Sequence, residues 1–237
     1  MNNTASLSLP AWPPEWPEIR QAILDSLSSQ HWADYRGPAK EQLAANLTKR
    51  VGTKHCRLVG SGSIGVELSL RSLGLAEGSR VALCAYDYPG NFRAIELAGC
   101  RPVLIDAAAE NFSLAPTSLR EVPANEISAV IVSHLYGIPA EIESIAEICQ
   151  DKQWRLIEDA CQVPGMMIAG KPAGAWGDCS VFSFGGNKPL TAGSGGALLS
   201  NDPAVESTLS RLLDRPSDAT PMGELAAAAV NAQLPHL

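Results

Sequence analysis

The chain has 237 residues, of which 46% are hydrophobic and 18% charged, and its formal net charge is −7. This length is enough for one large α/β domain with a substantial core, and the acidic balance argues against nucleic-acid binding. The apolar runs are too short to cross a bilayer and the N-terminal segment does not resemble a secretory signal. The sequence therefore favours a cytoplasmic protein with no membrane or nucleic-acid partner.

The first 55 residues differ in composition from the remainder. They begin with an arm rich in tryptophan and proline, Trp12-Pro13-Pro14-Glu15-Trp16-Pro17. Amphipathic patterns then predict helices over Ile19–Leu27 and Lys40–Val51, and no strand is predicted here. We therefore expect an N-terminal arm and helical lead-in over residues 1–55 and an α/β domain over residues 56–237.

Short apolar runs alternate with helical patterns along that domain. The runs predict seven strands, which are Cys56–Val59, Arg80–Cys84, Pro102–Ile105, Ala129–Ser133, Trp154–Ile157, Cys179–Phe182 and Ala197–Ser200. Apolar residues at helical spacing lie between them in Ile64–Leu73, Asn91–Ala98 and Ile142–Cys149. This alternation predicts a three-layer α/β fold with a mostly parallel seven-stranded sheet covered on both faces.

Two segments after the first strands are candidates for ligand binding. Gly60-Ser61-Gly62-Ser63-Ile64 leads from a strand into a helix, where amides and hydroxyls can bind a phosphate. The same pattern also occurs in plain turns and helix caps. Tyr88 follows the second strand, where its ring could lie on a planar cofactor, although an aromatic residue at a strand end is more often part of the core.

The hypothesis of a catalytic function depends on one acidic residue and one lysine. Asp159 ends an apolar run, and Lys188 follows 29 residues later on the glycine-rich turn Ser183-Phe184-Gly185-Gly186-Asn187-Lys188. A Schiff-base enzyme that uses pyridoxal phosphate needs a lysine amine for the cofactor aldehyde and a carboxylate for the pyridinium nitrogen. Taken singly, the aspartate could be a helix cap and the lysine a solvated surface residue.

Six cysteines are distributed along the chain without any C-x-x-C pair. Most lie in or beside apolar runs, which indicates buried free thiols and not a disulfide framework. The four histidines show no metal-ligand spacing, so no metal site is expected.

The ordered motifs resemble the DegT/DnrJ/StrS family of pyridoxal-phosphate-dependent sugar aminotransferases. The resemblance covers most of the chain from about Gly37 onward. It is carried by Gly60-Ser61-Gly62-Ser63, His134-Leu135-Tyr136-Gly137, Glu158-Asp159-Ala160-Cys161-Gln162, Phe182-Ser183-Phe184 and Lys188-Pro189-Leu190-Thr191-Ala192-Gly193-Ser194-Gly195-Gly196.

The resemblance implies the aspartate aminotransferase fold, that is, the large domain of type I pyridoxal-phosphate transferases, in a cytoplasmic homodimer. It assigns Lys188 as the Schiff-base lysine and Asp159 as the partner of the pyridinium nitrogen. The cofactor ring would lie against Gln162 and stack on Tyr88, and its phosphate would be held by Ser183, Ser63 and the Ile64 amide. A histidine in place of the lysine signals dehydration in this family, so Lys188 favours amino transfer.

The implied substrates are an amino acid such as glutamate, as donor, and a nucleotide-linked keto-sugar, as acceptor, in sugar or polysaccharide biosynthesis. Family members usually continue into a small C-terminal domain that closes over the substrate, whereas this sequence stops at Leu237 after a predicted helix beginning near Met222. The alternative is a pyridoxal-phosphate-binding pseudoenzyme or partial subunit that needs a second chain for turnover. We expect the apolar side of that last helix to be partly uncovered.

Overall fold

The computed structural model describes residues 11–213 and 221–237. Its helices are α1 (Pro17–Ser28), α2 (Pro38–Val51), α3 (Gly62–Ser72), α4 (Pro89–Leu97), α5 (Pro116–Glu121), α6 (Ile142–Lys152), α7 (Pro203–Leu213) and α8 (Glu224–Gln233). Its strands are β1 (His55–Val59), β2 (Arg80–Cys84), β3 (Arg101–Ile105), β4 (Ala129–Ser133), β5 (Arg155–Asp159), β6 (Met167–Ile168), β7 (Lys171–Pro172), β8 (Cys179–Ser183) and β9 (Gly196–Ser200).

Seven strands form one sheet in the order β1-β9-β8-β5-β4-β2-β3, and β6 pairs with β7 in a separate hairpin. Within the seven-stranded sheet, β9 runs antiparallel to both β1 and β8, while the other pairings are parallel. One edge of the sheet therefore holds the carboxyl ends of β1, β2, β4, β5 and β8. In such sheets, ligands bind beyond the carboxyl ends of the strands.

Helices cover both faces of the sheet, which explains why the central strands are almost entirely apolar. All five residues of β4 are buried. One apolar core lies between the sheet and helices α2, α5, α6 and α8, as shown by Leu43, Leu119, Ile145 and Val230. The other lies between the sheet and α3, α4 and α7. The structure thus confirms the predicted three-layer α/β fold with a mostly parallel seven-stranded sheet.

The predicted strands all occur, with ends shifted by no more than two residues. Two helices, α5 and α7, and the short β6–β7 hairpin were not predicted. The expectation of an uncovered last helix was wrong, because α8 packs against α1 and α2 and its Ala227, Val230 and Gln233 are buried. Within the described residues, no helix has both the length and the apolar character needed to span a membrane.

A buried carboxylate fixes the strand that ends in the candidate acid. Glu158 is fully buried in β5 and accepts hydrogen bonds from the amides of Gly174 and Trp176, at 2.7 and 2.9 Å, and from Ser180 Oγ at 3.2 Å. His134 Nδ1 accepts the Ala140 amide, which leaves its Nε2–H to donate to Glu158 Oε1 at 3.3 Å. Neighbouring residues of a strand face opposite ways, so this network lies on the side of β5 away from Asp159.

Glu158→Ala should therefore be strongly destabilising. The substitution leaves four buried donors without their acceptor, and we expect a loss of at least about 3 kcal/mol in the free energy of unfolding. Urea denaturation followed by circular dichroism measures this loss. Glu147→Ala, at an exposed position of α6, is the matched control and should change stability by about 0.5 kcal/mol or less. Equal effects of the two substitutions would contradict this interpretation.

Candidate functional site

The predicted site residues meet in one cleft at the carboxyl edge of the sheet. Its volume is about 190 Å³. The lining includes six of the predicted side chains, which are Ser63, Tyr88, Asp159, Gln162, Ser183 and Lys188. These residues are up to 125 positions apart in the sequence, and the parallel strands bring them together.

The start of α3 forms one wall of the cleft. Ser61 caps the helix, and its Oγ accepts the Ile64 amide at 3.3 Å. A methyl group on Gly62 would lie 2.8 Å from the Cβ of Ser183, so only glycine allows this helix end to approach β8 so closely. The first turn of α3, with Ser63 and Ser183 in the lining of the cleft, thus offers a position suited to an anion. The Ile64 side chain borders an adjoining pocket instead of the cleft.

Asp159, the last residue of β5, lies at the base of the cleft and is 7% exposed. Its Oδ1 accepts the Cys161 amide at 3.1 Å, and its Oδ2 accepts Asn91 Nδ2 at 2.9 Å. Both oxygens of Asp159 therefore have hydrogen-bond donors, and the acid lies where a cationic ring nitrogen could be held.

Asn91 and Asp87 are site residues that the sequence analysis missed. Asn91, in the first turn of α4, is 1% exposed, and its Nδ2 also lies 3.1 Å from both Asp87 Oδ1 and Ser133 Oγ. Asp87 Oδ1 accepts the Tyr88 amide at 2.6 Å, whereas its Oδ2 is buried without a hydrogen-bond partner. Burial raises the pKa of Asp87 to about 7 and the nearby Asp159 carboxylate adds to the rise, while hydrogen bonds from Ser133, Tyr88 and Asn91 act in the opposite direction. The D-Y-P-G-N spacing was the available signal, since residues i and i+4 meet at the start of a helix.

The raised pKa of Asp87 predicts a specific pH dependence of stability. The folded chain keeps a proton that the unfolded chain loses at its ordinary pKa of 3.8, so stability from this group should fall as pH rises from about 4 to about 7. The fall is on the order of 4 kcal/mol, and no further change is expected above that window. Asp87→Asn should remove it. Urea unfolding of both proteins between pH 5 and 8 measures the difference, and parallel curves would contradict the prediction.

The loop that carries Lys188 is held from two sides. The Lys188 amide donates to the Gly185 carbonyl at 3.1 Å, and Thr191 Oγ1 donates to the same carbonyl at 2.8 Å. The side chain of Gln233, fully buried in α8, accepts the Thr191 amide at 3.0 Å and donates to the Thr191 carbonyl at 2.7 Å. From the N-terminal arm, Trp12 Nε1 donates to the Gly186 carbonyl at 3.0 Å. The lysine is thus presented on a fixed turn.

Aromatic and amide side chains complete the cleft. Lys188 Nζ lies 5.8 Å from the centre of the Tyr88 ring, so the lysine and the predicted stacking residue face each other. Gln162 Oε1 accepts the Tyr136 amide at 2.8 Å. Tyr136 has φ of 58° and its hydroxyl lies 2.9 Å from that of Tyr86. An aromatic residue in the left-handed region is uncommon and costs backbone energy, which is typical of functional sites.

Cys161 lines the same cleft as Asp159 and Lys188 but is not a candidate nucleophile. Its side chain is buried, and burial raises its pKa well above the ordinary thiol value, with the Asp159 charge acting in the same direction. The thiol therefore remains protonated and unreactive at neutral pH. Lys188 and Asp159 stay the predicted catalytic residues.

The model of the DegT/DnrJ/EryC1/StrS aminotransferase family matches residues 15–237. The chain belongs to this family. It is 27% identical over 194 residues to GDP-perosamine synthase of Escherichia coli O157:H7, covering 82% of this chain and 53% of that protein. It is 30% identical over 210 residues to L-glutamine:2-deoxy-scyllo-inosose aminotransferase of Streptoalloteichus tenebrarius, covering 85% of this chain and 49% of that protein.

Solved structures of other proteins share the fold. The crystal structure of 3-amino-5-hydroxybenzoic acid synthase matches with a TM-score of 0.89 and 25% identity, over 97% of this chain and 64% of that one. DesV of S. venezuelae, solved in complex with a ketimine intermediate, matches with a TM-score of 0.85 and 28% identity, over 92% of this chain and 62% of that one. The chain spans about half the length of the curated relatives it matches.

Proposed function

We propose that this family member binds pyridoxal 5′-phosphate in the cleft and transfers an amino group from an amino acid such as glutamate to a keto-sugar. The observation that carries the proposal is the meeting of Lys188, Asp159 and the serine-rich helix start in one small cleft. A surface lysine or a simple aspartate cap would not require this arrangement.

The residues present fit this cofactor. A phosphate matches the start of α3, where Gly62 has no side chain to block the approach and Ser63 and Ser183 line the cleft. A pyridinium nitrogen matches the ionised Asp159, and the Tyr88 ring provides a flat apolar surface. Gln162 would lie against the ring near its phenolic oxygen.

Each side chain then has a distinct chemical task. Pyridoxal phosphate supplies an aldehyde that condenses with amines and a ring that accepts electrons. Asp159 would hold a proton on the ring nitrogen, since a buried carboxylate favours a cationic partner. The amine of Lys188 would bind the aldehyde and, once released, remove the α-proton of the amino donor as a general base. Ser63, Ser183 and the amides of the first turn of α3 would keep the ring in place during these steps.

Relatives support a sugar-like acceptor, because their names include GDP-perosamine synthase and an aminotransferase acting on a deoxy-inosose. We infer that the acceptor here is a keto-sugar, carried on a nucleotide, in sugar or polysaccharide biosynthesis. We also propose that the protein works in the cytoplasm. All six cysteines are free thiols, as is typical of proteins in a reducing compartment.

A donor and acceptor assay tests the proposed function. The protein is loaded with pyridoxal phosphate and mixed with glutamate, and the formation of 2-oxoglutarate is measured together with the loss of the aldehyde absorbance. A panel of nucleotide-linked keto-sugars is then added, and amino-sugar products are detected by mass spectrometry. Product formation is expected. Cofactor binding without any amino transfer would instead favour the alternative of a binding subunit that needs a second chain.

We propose a homodimer, supported by an exposed aromatic cluster beside the cleft. This cluster consists of Tyr86, Phe112 and Tyr136, which are 50%, 59% and 69% exposed. Aromatic side chains are enriched at protein interfaces, often as their largest energetic contributors. The tryptophans of the arm already have contacts within the chain, since Trp16 stacks on His236 with ring centres 4.0 Å apart.

Phe112→Asp should weaken the dimer by about tenfold or more, because a charge would be buried at the interface. Light scattering over a concentration series measures the dissociation constant. Leu212→Asp, at another exposed apolar position in α7, is the control and should leave the constant unchanged. A wild-type protein that is monomeric at micromolar concentration would contradict the dimer.

A further inference from the structure

Two carboxyl groups share one amide nitrogen at the base of the cleft. Asn91 Nδ2 lies 3.1 Å from Asp87 Oδ1 and 2.9 Å from Asp159 Oδ2. The two carboxyl oxygens are therefore separated by no more than the sum of these distances. Because the amide has only two hydrogens, its contacts with Asp87, Asp159 and Ser133 Oγ cannot all be full hydrogen bonds.

The two carboxyls differ in how well their charges are stabilised. Both oxygens of Asp159 accept hydrogen bonds from nitrogen donors, whereas Asp87 Oδ2 is buried without a partner. Two like charges at this separation disfavour simultaneous ionisation, and the less stabilised carboxyl takes the proton. Asp87 is therefore the protonated member of the pair when no other charge is present.

We propose that Asp87 is a positioning residue that loses its proton to solvent when a cationic ring binds beside Asp159. This inference rests on the proposed binding of pyridoxal phosphate. Positive charge near Asp159 offsets the repulsion between the carboxyls, so the Asp87 O–H bond breaks and the proton leaves to water. The ionised Asp87 then accepts the Asn91 and Tyr88 N–H groups more strongly, which holds the second Asn91 N–H on Asp159.

Other titratable groups near Asp87 do not explain the release of a proton when the ring binds. Cys84, on β2, and Cys161, after β5, both have pKa values raised by burial, so their thiols keep their protons at neutral pH. Both oxygens of Asp159 already accept hydrogen bonds from N–H donors. Lys188 lines the same cleft, so the experiment needs a ligand that cannot react with its amine.

Pyridoxine 5′-phosphate is a suitable probe because it keeps the ring nitrogen and phosphate but has an alcohol in place of the aldehyde. Titration calorimetry at pH 7 in buffers of different ionisation enthalpy gives the number of protons exchanged on binding. We expect the wild type to release about half a proton more than Asp87→Asn, because a carboxyl with a pKa near 7 is half protonated at that pH. Asp106→Asn, an exposed carboxyl after β3, should match the wild type.

The outcomes separate this inference from the proposed function. Binding of the probe with equal proton counts in wild type and Asp87→Asn would overturn the role of Asp87 and leave the proposed function standing. Failure of the wild type to bind both the probe and pyridoxal phosphate would overturn both. If Asp87→Asn does not fold, Asp87→Ser replaces it, because the serine hydroxyl still accepts an N–H but does not titrate. The same half-proton difference is expected, and its absence overturns the inference.

Discussion

Lys188→Ala should abolish covalent attachment of the cofactor and lower the rate of amino transfer by about 10²- to 10⁴-fold, the range typical for loss of a general base. Borohydride reduces a lysine–aldehyde linkage to a stable secondary amine, so reduction of the wild type should fix pyridoxal phosphate on Lys188. The position of this lysine opposite Tyr88 in the cleft is the structural reason for the expectation. Peptide mapping by mass spectrometry locates the adduct.

Lys171→Ala is the matched control for this experiment. Lys171 Nζ lies 4.1 Å from the centre of the Trp176 ring, and Lys171 is not part of the cleft lining. Its replacement should leave the adduct on Lys188 unchanged. An adduct that persists in Lys188→Ala and maps to Lys171 or Lys152 would contradict the assignment of Lys188 as the lysine that binds the cofactor.

Asp159→Asn should retain the fold and some cofactor but lower the half-reaction with glutamate by about 10²-fold or more. The amide has nearly the same shape as the carboxylate but cannot stabilise a positive charge on the ring nitrogen. Its NH₂ group would also face either the Asn91 Nδ2 or the Cys161 amide, so one donor loses its acceptor. We expect this mismatch to cost about 1–3 kcal/mol in folding free energy.

Rapid-mixing absorbance measurements on the cofactor-loaded proteins give the half-reaction rate, and urea unfolding gives the stability. Asp106→Asn, which removes an exposed carboxylate directly after β3, should leave both quantities unchanged. An unchanged half-reaction rate in Asp159→Asn would show that this carboxylate serves only as an acceptor for the backbone and Asn91.

The strands and most helices could be predicted because their patterns are local. β4 consists of apolar and small residues between polar turns, so its burial follows from the sequence alone. The direction of β9 could not be predicted, because a short buried run has the same composition in either orientation. α7 lies beyond the Asp202-Pro203 turn and was missed although Val205 and Leu209 have helical spacing.

The candidate site shows the same division between local and distant information. Lys188, Asp159 and the serine loop stand out because each lies at or just after the end of a strand, at the ligand-binding edge of the sheet. Asn91 and Gln233 did not stand out, since an amide in a helix has no signature until its partner from another segment is known. The role of Asp87 depends on its distance from Asp159, 72 residues away in the sequence, and on burial of one oxygen.

The pairing of β1 with β9 has a consequence for the order in which the chain folds. β1 is an edge strand whose ladder partner within the sheet is β9, and the two are joined through residues such as His55 and Ser200. During synthesis, more than one hundred further residues must therefore be added before the backbone groups of β1 can form hydrogen bonds with β9. The turn that carries Lys188 is stabilised later still, because Gln233 must leave the ribosome before it can bind Thr191. The nascent chain thus exposes an unpaired strand for much of its synthesis, a state in which a chaperone would limit aggregation.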